Sequence, residues 1–534
     1  MSEPGADKRA HHRRANLTRR LILFCALLLS LVGLYHWALT EERQCRLKIT
    51  LIDSKTQKLV PGVIRCVRQS DGQAIPISDL LARGQGLDDK ASIHNWYVIP
   101  ETSEVSLPRQ PLRLEAFAGV ESELATISLD LSGQNQQSVR IPLRFFSHVA
   151  PQGWYAGNTH LHLSDLNKEQ ADRYLKEIPP ADRLDILFIS YLERAILDKT
   201  YVTNRYPLGD LKEFGSTGVL LNNGEEHRHN FGDQGEGFGH VMFLNIKKLV
   251  QPVSIGPGIS HTGTDGTPLE SGIEEAHRQG GVAIWCHNNW GMEDVPNFVA
   301  GKLDAQNIFD GGEHGTFEDS FYHYLNAGIR VPFSTGTDWF MYDLARVYTR
   351  VSGPLGIKSW LDALVAGRSF ITNGPLLKFS VDGREIGDTF ELSSAKGVQV
   401  KGEALGRIDF EKLELVQNGK VISEVKSQPE HQHFQATLNQ VIQINEPSWL
   451  ALRVSARTSS EYGQRLFGHT SPIYVKLGGR SVRMKPEVDY LIKQMKEAQE
   501  AIASEALFPT QAQREHVLSV YGRGIEILRA KEGV

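Results

Sequence analysis

The sequence predicts a multidomain protein of α/β plus β class. An α/β segment over residues 151–373 is flanked by β-sandwich segments at 43–150 and 374–480, with an apolar N-terminal helix before them and a helical tail at 481–534 after them. Three observations predict it. The chain has 534 residues, more than one ordinary hydrophobic core organises. Its flanking segments alternate apolar and polar residues between turn signals, as half-buried strands do. Its centre instead alternates short apolar runs with amphipathic stretches, which is the texture of a parallel sheet or barrel with covering helices.

The N-terminus comes first. Residues 1–20 form a basic leader carrying Lys8, Arg9, Arg13, Arg14, Arg19 and Arg20, and residues 21–39 form an apolar run with Tyr35 and Trp37 near its outer end. A basic flank ahead of an apolar run reads as a transmembrane signal anchor, and the run approaches the roughly 20 residues a spanning helix needs. Ala38-Leu39-Thr40 makes a poor cleavage site, so an uncleaved anchor is preferred to a cleaved signal. Positive charge stays inside, which puts the leader in the cytoplasm and the body outside, periplasmic or at the cell surface.

The chain as a whole has a globular composition, with 40% hydrophobic and 23% charged residues, and a formal net charge of -5. That excludes wholesale disorder, and it lacks the basic footprint of a nucleic-acid binder. Of the four cysteines, Cys25 lies in the apolar run and Cys286 in an apolar strand candidate, while Cys45 and Cys66 share the first β segment. Outside the cytoplasm that last pair forms either a disulfide or two free thiols.

In the first β segment, Leu47–Leu51, Val63–Val67, Leu112–Ala116 and Val139–Ile141 alternate as strands. In the centre, Ile186–Ile189, Val219–Leu221, Val282–Trp285 and Val331–Phe333 are buried strand candidates, although Pro332 cannot donate to a ladder. Helices are expected from Asn167 to about Glu177, and from Ile273 to Gln279 with Gly280-Gly281 as the stop. In the last β segment, Leu413–Val416 ahead of Asn418-Gly419 signals a hairpin, and Trp449–Val454 and Ile473–Val475 are further strands. In the tail, Val488, Leu491, Ile492 and Met495, then Val517, Val520, Tyr521, Ile525 and Leu528, keep helical spacing on either side of Pro509, predicting a helical hairpin packed on the body.

Metal-ligand residue types gather where the central strands end. His160 and His162 are two apart, so in extended chain both rings reach one side. His-x-His also occurs at 227/229 and 431/433, and it is their place on the first central strand that singles out the 160/162 pair. Glu226 follows Val219–Leu221 and a glycine, and a carboxylate so placed can bridge two cations. Its neighbour Glu225 shows that a loop glutamate is the ordinary alternative. His240 lies between glycine-rich residues, His287 ends the run Gly281–Cys286, and Asp338 follows Phe333–Thr337. Active sites of barrel enzymes sit at such strand ends. Imidazoles and carboxylates together suit Zn²⁺, Mn²⁺ or Fe²⁺.

Taken in order, Gly157-Asn158-Thr159-His160-Leu161-His162, Asn223-Gly224-Glu225-Glu226, Gly239-His240-Val241, Ala283–His287, Thr335-Gly336-Thr337-Asp338, Arg346-Val347-Tyr348 and Ala366–Pro375 resemble the polymerase and histidinol phosphatase (PHP) superfamily, and within it the CehA/McbA-like metallohydrolases. The resemblance covers about residues 153–380. It implies a distorted (β/α)7 barrel and a centre of two divalent transition-metal ions. One ion would take His160, His162, Glu226 and Asp338, and the other Glu226, His240 and His287. Fuller family sites hold a third metal. Here the chain departs, with Ser190-Tyr191-Leu192 where Thr-Asp-His is common, Phe340 where a histidine is common, and no histidine in the loop after His162.

The implied function is metal-dependent hydrolysis of an ester, amide or carbamate bond in a small-molecule substrate. Two cations sharing a water lower its pKa and make a hydroxide nucleophile. Asp338 is the catalytic proton acceptor, Arg346 the residue that orients a polar substrate group, and His229, Asn288 and Trp290 are the expected pocket lining. The alternatives are phosphoester hydrolysis and a non-catalytic cell-surface binding protein with a structural metal site. Leader, anchor and body together make the membrane the expected partner of the N-terminal helix.

Overall fold

A computed structural model of the chain describes residues 44–88, 91–149, 152–193, 201–229, 237–257, 263–288, 291–312 and 315–530. The leader, the expected anchor and Cys25 lie outside the described residues. Among the described residues no helix is long and apolar enough to cross a membrane. The protein is mixed α/β and strand-rich, with large sheets and few helices.

The first part holds β1 (Gln44–Asp53), β2 (Gly62–Arg68), β3 (Tyr97–Ile99), β4 (Thr102–Pro108), β5 (Pro111–Phe117), β6 (Ala125–Asp130) and β7 (Gln136–Leu143). They form two sheets, β4-β1-β7 and β3-β2-β5-β6. The alternation of β1 sends Cys45, Leu47, Ile49 and Leu51 inward, where they meet Ile64, Cys66, Leu112 and Leu114 from the other sheet. Cys45 and Cys66 enter this core from different sheets as free thiols, so the disulfide alternative falls. Burial pushes the Cys66 thiol up to about 12.

The centre runs through β8 (Trp154–Asn158), β9 (Leu161–His162), β10 (Ile186–Tyr191), β11 (Gly209–Asp210), β12 (Leu220–His229), β13 (Gly239–Leu244), β14 (Ser254–Ile255), β15 (Val282–Cys286), β16 (Ala305–Asn307), β17 (Phe333–Ser334), β18 (Asp338–Trp339), β19 (Arg346–Arg350) and β20 (Ser369–Thr372). β8, β10 and β12 are parallel neighbours, as are β15, β16 and β17. The expectation of a parallel sheet needs correcting between these triplets. There β13 is inserted antiparallel to both β12 and β15, because the link from His229 to Gly239 is shorter than the dozen or so residues a parallel crossover takes. Pro332 stands just before β17, where it interrupts no ladder.

Helices cover this sheet. The helix Lys168–Ala181 starts at Asn167, whose side chain accepts from the Gln170 N–H while the Gln170 side chain accepts from the Asn167 N–H. This reciprocal cap is worth about 1 kcal/mol. The helix Leu269–Arg278 buries Leu269, Ile273 and Ala276. The tail helices Lys485–Glu505 and Gln511–Ala530 turn the predicted apolar stripes into the central core, with Leu491, Met495, Val520 and Tyr521 buried beside Val295 and Phe298. Leu507, in the turn between them, donates to Asp265 Oδ2 at 2.8 Å.

The last part comprises β21 (Leu376–Val381), β22 (Arg384–Glu385), β23 (Thr389–Leu392), β24 (Lys396–Gly406), β25 (Lys412–Gln417), β26 (Lys420–Lys426), β27 (Gln428–Glu430), β28 (His433–Ile444), β29 (Ser448–Ser459), β30 (Arg465–Thr470) and β31 (Ile473–Leu477). Asn418 and Gly419, at φ 51° and 83°, make the two-residue β25–β26 hairpin expected of that dipeptide. One sheet has the order β22-β21-β24-β28-β27. The other joins the centre directly, since β20 pairs with β19 on one edge and with β30 on the other. The boundary expected at 373/374 therefore falls at the end of a strand that ties the two regions together.

His469 of β30 sits in that junction, fully buried against Phe317, Tyr322 and Phe333. Its Nδ1–H donates to the Thr470 carbonyl and its Nε2 accepts from the Tyr322 hydroxyl, each at 2.8 Å. Burial holds the imidazole neutral, pushing its pKa from 6.5 down to about 3. The unfolded chain takes up this proton near pH 6.5 while the folded chain refuses it until about 3. Stability is therefore lost as pH falls through that window, by up to about 1.4 kcal/mol per pH unit. Urea titrations between pH 7 and 4 are expected to show a shallower loss for His469→Gln than for wild type. Equal slopes would contradict the assignment.

Candidate metal centre

The chain folds so that His160 and His162 leave β8 pinned on both sides. Asn158 Oδ1 accepts the His160 N–H at 3.0 Å, and its Nδ2 donates to Thr337 Oγ1 at 2.8 Å. The short strands β9 and β18 pair in parallel, with Leu161 opposite Asp338 and His162 opposite Trp339. That pairing carries Asp338 alongside the two histidines. Asp338 takes a left-handed backbone at φ 54°, uncommon for a residue with a Cβ. Space here is tight: a Cβ at Gly336 would lie 2.5 Å from the His160 Cβ, and one at Gly311 would lie 2.9 Å from Asp338 Oδ2.

Glu226 was expected just past a strand. It lies within β12, because the ladder to β13 extends β12 as far as His229. Alternation then divides the strand. Glu226 faces the histidine cluster, while Glu225, His227 and His229 face the other way. Glu225 is buried too, with Oε1 on His227 Nδ1 at 2.9 Å and Oε2 on the Val250 N–H at 2.7 Å, so it is not the loop glutamate of the alternative reading. His240 on β13 pairs with Arg228 and Glu226 with Met242, which makes His240 a diagonal neighbour of Glu226. His287 follows β15, whose Cys286 pairs with His240.

All six expected ligands converge, each nine-tenths buried or more. His160, His162, Glu226 and Asp338 form one group and Glu226, His240 and His287 another, with the ligand atoms of each within 4.8 Å of one another. The two oxygens of Glu226 divide between them. Oε2 lies 2.9 Å from His162 Nε2 and 3.8 Å from His160 Nε2. Oε1 lies 3.1 Å from His240 Nδ1 and 4.0 Å from His287 Nε2. Asp338 Oδ1 stands 3.4 Å from His160 Nε2 and 3.7 Å from His162 Nε2.

Electrostatics favour a cation here. Burial alone would raise the Glu226 pKa, but the Arg228 guanidinium and hydrogen bonds from His160, His162 and His240 hold it well below the usual carboxylate range. Burial pushes the Asp338 carboxyl up to about 6 against the pull of the histidines, with Glu226 and Asp310 adding repulsion. Burial, with Arg228 nearby, pushes His240 down to about 3. Burial also lowers His287. Both are therefore neutral imidazoles with a lone pair to give. His160 Nε2 and His162 Nε2 are only 2.9 Å apart. Burial opposes a charge on His160, but Asp310 and Asp338 hold its pKa well above the usual imidazole value, so an ion entering there would displace a proton. Convergent imidazoles and buried carboxylates are the donor set that divalent transition metals take, and the residues fit two such ions.

Other expected site residues stand elsewhere. Arg346 is buried on β19, with Nε on the Leu344 carbonyl at 2.8 Å and a terminal nitrogen on the Asp182 carbonyl at 2.6 Å, so it is tied into the frame and not joined to the cluster. His229 is held by Asp265 Oδ1 at 3.0 Å and the Thr267 carbonyl at 2.9 Å, on the far face of β12. Asn288 is buried next to His287, with its amide committed to Gln306, Ser320 and Thr316. Trp290 lies outside the described residues. The three residues expected to depart from the resemblance are all packed. Leu192 is buried, Phe340 packs on Tyr174 at 5.9 Å, and the Ser190 carbonyl accepts from His162 Nδ1 at 3.0 Å.

Two residues of the site escaped the sequence reading. Arg228 shares the Glu226 face of β12, with a guanidinium nitrogen 3.9 Å from Glu226 Oε1. Its two-residue spacing from Glu226 was the available signal, had the strand been extended past Leu221. Asp310 lies just after β16, too short a strand to read from sequence, and its Oδ2 meets His160 Nδ1 at 2.8 Å.

The metal content of the purified protein tests the centre. About two transition-metal ions per wild-type chain are expected, with both lost in Glu226→Ala because one carboxylate faces both groups. A folded Glu226→Ala variant that kept both ions would contradict the bridging role. Comparison with protein-family models, with characterised proteins and with solved structures gives no match to this chain.

Proposed function

We propose that the chain is a metal-dependent hydrolase of the PHP superfamily, CehA/McbA-like, acting on an ester, amide or carbamate bond of a small molecule outside the cytoplasm. The observation that carries this reading is the division of the two Glu226 oxygens between two imidazole groups. The seven strands β8, β10, β12, β13, β15, β16 and β17 follow one another in hydrogen-bonded order, which supports reading the centre as a distorted seven-stranded barrel with the site on its strand ends.

The ions, when bound, supply an activated water and a positive field for the developing oxyanion. The chain's own residues do the rest. His160, His162 and Asp338 would hold one ion, His240 and His287 the other, and Glu226 would contribute an oxygen to each. Asp338 is the most exposed of the six at 9%, and its Oδ2 lies toward Gly311 while Oδ1 faces the histidines. We assign it to accept the proton of the attacking water and pass it to the leaving group. Arg228 takes the substrate-orienting role first given to Arg346, since its guanidinium is beside the cluster and can fork onto a carboxylate or carbonyl oxygen. The loop 309–312 also borders a cavity of about 200 Å³ lined by Phe309, Phe317, Tyr342, Arg465 and Phe467, room for an aryl group. Leu192 and Phe340 offer no ligand at the positions where the resemblance would put third-site histidines, which favours an acyl substrate over a phosphoester.

Aryl esters and carbamates, assayed beside aryl phosphates, test this reading. Asp338→Asn is expected to lower kcat by about 10²-fold or more. Arg228→Ala is expected to lower kcat/KM by roughly 10- to 100-fold, the loss of a charged hydrogen bond of about 2 kcal/mol. Turnover of phosphates alone would select the phosphoesterase reading. No turnover in a zinc- or manganese-loaded protein, with any of the three substrate classes, would select a binding protein.

A further inference from the structure

A neutral histidine presents a lone pair at only one ring nitrogen, and what the other nitrogen donates to decides which. His160 and His287 belong to different ligand groups, yet both turn Nδ1 toward the same residue. Asp310 Oδ2 lies 2.8 Å from His160 Nδ1, and the Asp310 main-chain carbonyl lies 3.1 Å from His287 Nδ1. In each pair the oxygen can only accept, so Nδ1 carries a proton and Nε2 is the nitrogen turned to the cluster. We infer that Asp310 is the positioning residue of the centre, aiming one histidine of each ligand group. This rests on the two-ion reading above.

Asp310 is itself held firmly. Asn307 Nδ2 donates to its Oδ2 at 2.9 Å, and Asn307 Oδ1 accepts from Thr159 Oγ1 at 3.0 Å, so the residue before His160 and the residue orienting His160 share one anchor. The carbonyl of the preceding residue, Phe309, accepts from the Tyr342 hydroxyl at 2.8 Å. A Cβ at Gly336 would lie 2.9 Å from Asp310 Oδ1 and 2.5 Å from the His160 Cβ, so only glycine lets aspartate and ring approach this way.

The two contacts differ in kind, and the difference is testable. The carboxylate raises the donor strength of His160, as carboxylates behind metal-bound histidines do. The carbonyl contact to His287 belongs to the main chain and survives substitution. Asp310→Asn is therefore expected to weaken one ligand group and spare the other. Zinc alone is the probe, in competition with a chromophoric chelator, and the melting temperature of the metal-free protein is followed in parallel. In a His240→Ala background, which leaves the His160–His162 group, Asp310→Asn is expected to weaken zinc roughly 10- to 100-fold. In a His162→Ala background, which leaves the His240–His287 group, the same change is expected to shift affinity less than about threefold. The metal-free melting temperature should stay near that of the parent, which a purely structural role would not allow. Asn307→Ala, which frees Asp310 Oδ2, should give a smaller loss in the first background only, and it carries the test if Asp310→Asn does not fold. Equal losses in both backgrounds, or none in the first, would overturn the assignment while leaving a two-ion wild type intact. A wild type that bound no zinc would overturn the hydrolase reading as well.

Discussion

The centre of this protein depends on one carboxylate in a place where carboxylates are costly. Glu226 is almost fully buried, and burial by itself would drive it to take up a proton. It stays ionised because imidazoles meet it from both sides and Arg228 stands behind. Those imidazoles come from separate strands, so keeping Glu226 charged requires β9 on β18, and β12, β13 and β15 in the larger sheet, to hold their register. Register is firm in such a sheet because a one-residue slip turns every side chain to the opposite face.

The rest of the architecture can be seen as support for that register. The helix Leu269–Arg278 seals the outer face of β12, where Gly272 comes so close to His227 that a Cβ would lie 2.5 Å from the ring. Asp265 joins His229 at the end of β12 to Leu507 in the tail turn, so the tail is tied to the strand that bears Glu226. On the other side, β20 is shared by the central ladder and the last sheet. Neither flank is a free-standing appendage, since each shares a core cluster or a ladder with the centre.

Some of this was readable from sequence. The strand alternation of β1, the Asn418-Gly419 turn, the helix beginning at Asn167 and the tail stripes are local patterns, and the chain formed the elements they indicate. The six metal-ligand candidates were found as residue types at the ends of apolar runs, and they converge. What misled was also local. Arg346 carries the same charge as Arg228, and nothing along the chain says that one faces the cluster and the other the Asp182 carbonyl. The β12 strand runs well beyond its apolar half, because its ladders to β13 and β14 come from later in the chain and carry it to His229, and polarity made it look like a loop.

The sequence by itself determined which chemistry is available: imidazole and carboxylate groups at strand ends, two histidines placed two apart, and glycines where backbones approach. Spacing along a strand is a covalent property, so His160 and His162 share a side wherever the chain is extended. Only the tertiary structure decided how those groups are shared. It gave one oxygen of Glu226 to each histidine group, and it set a single aspartate behind two rings that lie far apart in the chain. It also sent His229 and Arg346 to other partners. The physical reason is that a strand's inner and outer faces are defined by the neighbours it pairs with, and those neighbours are chosen by contacts between distant parts of the chain.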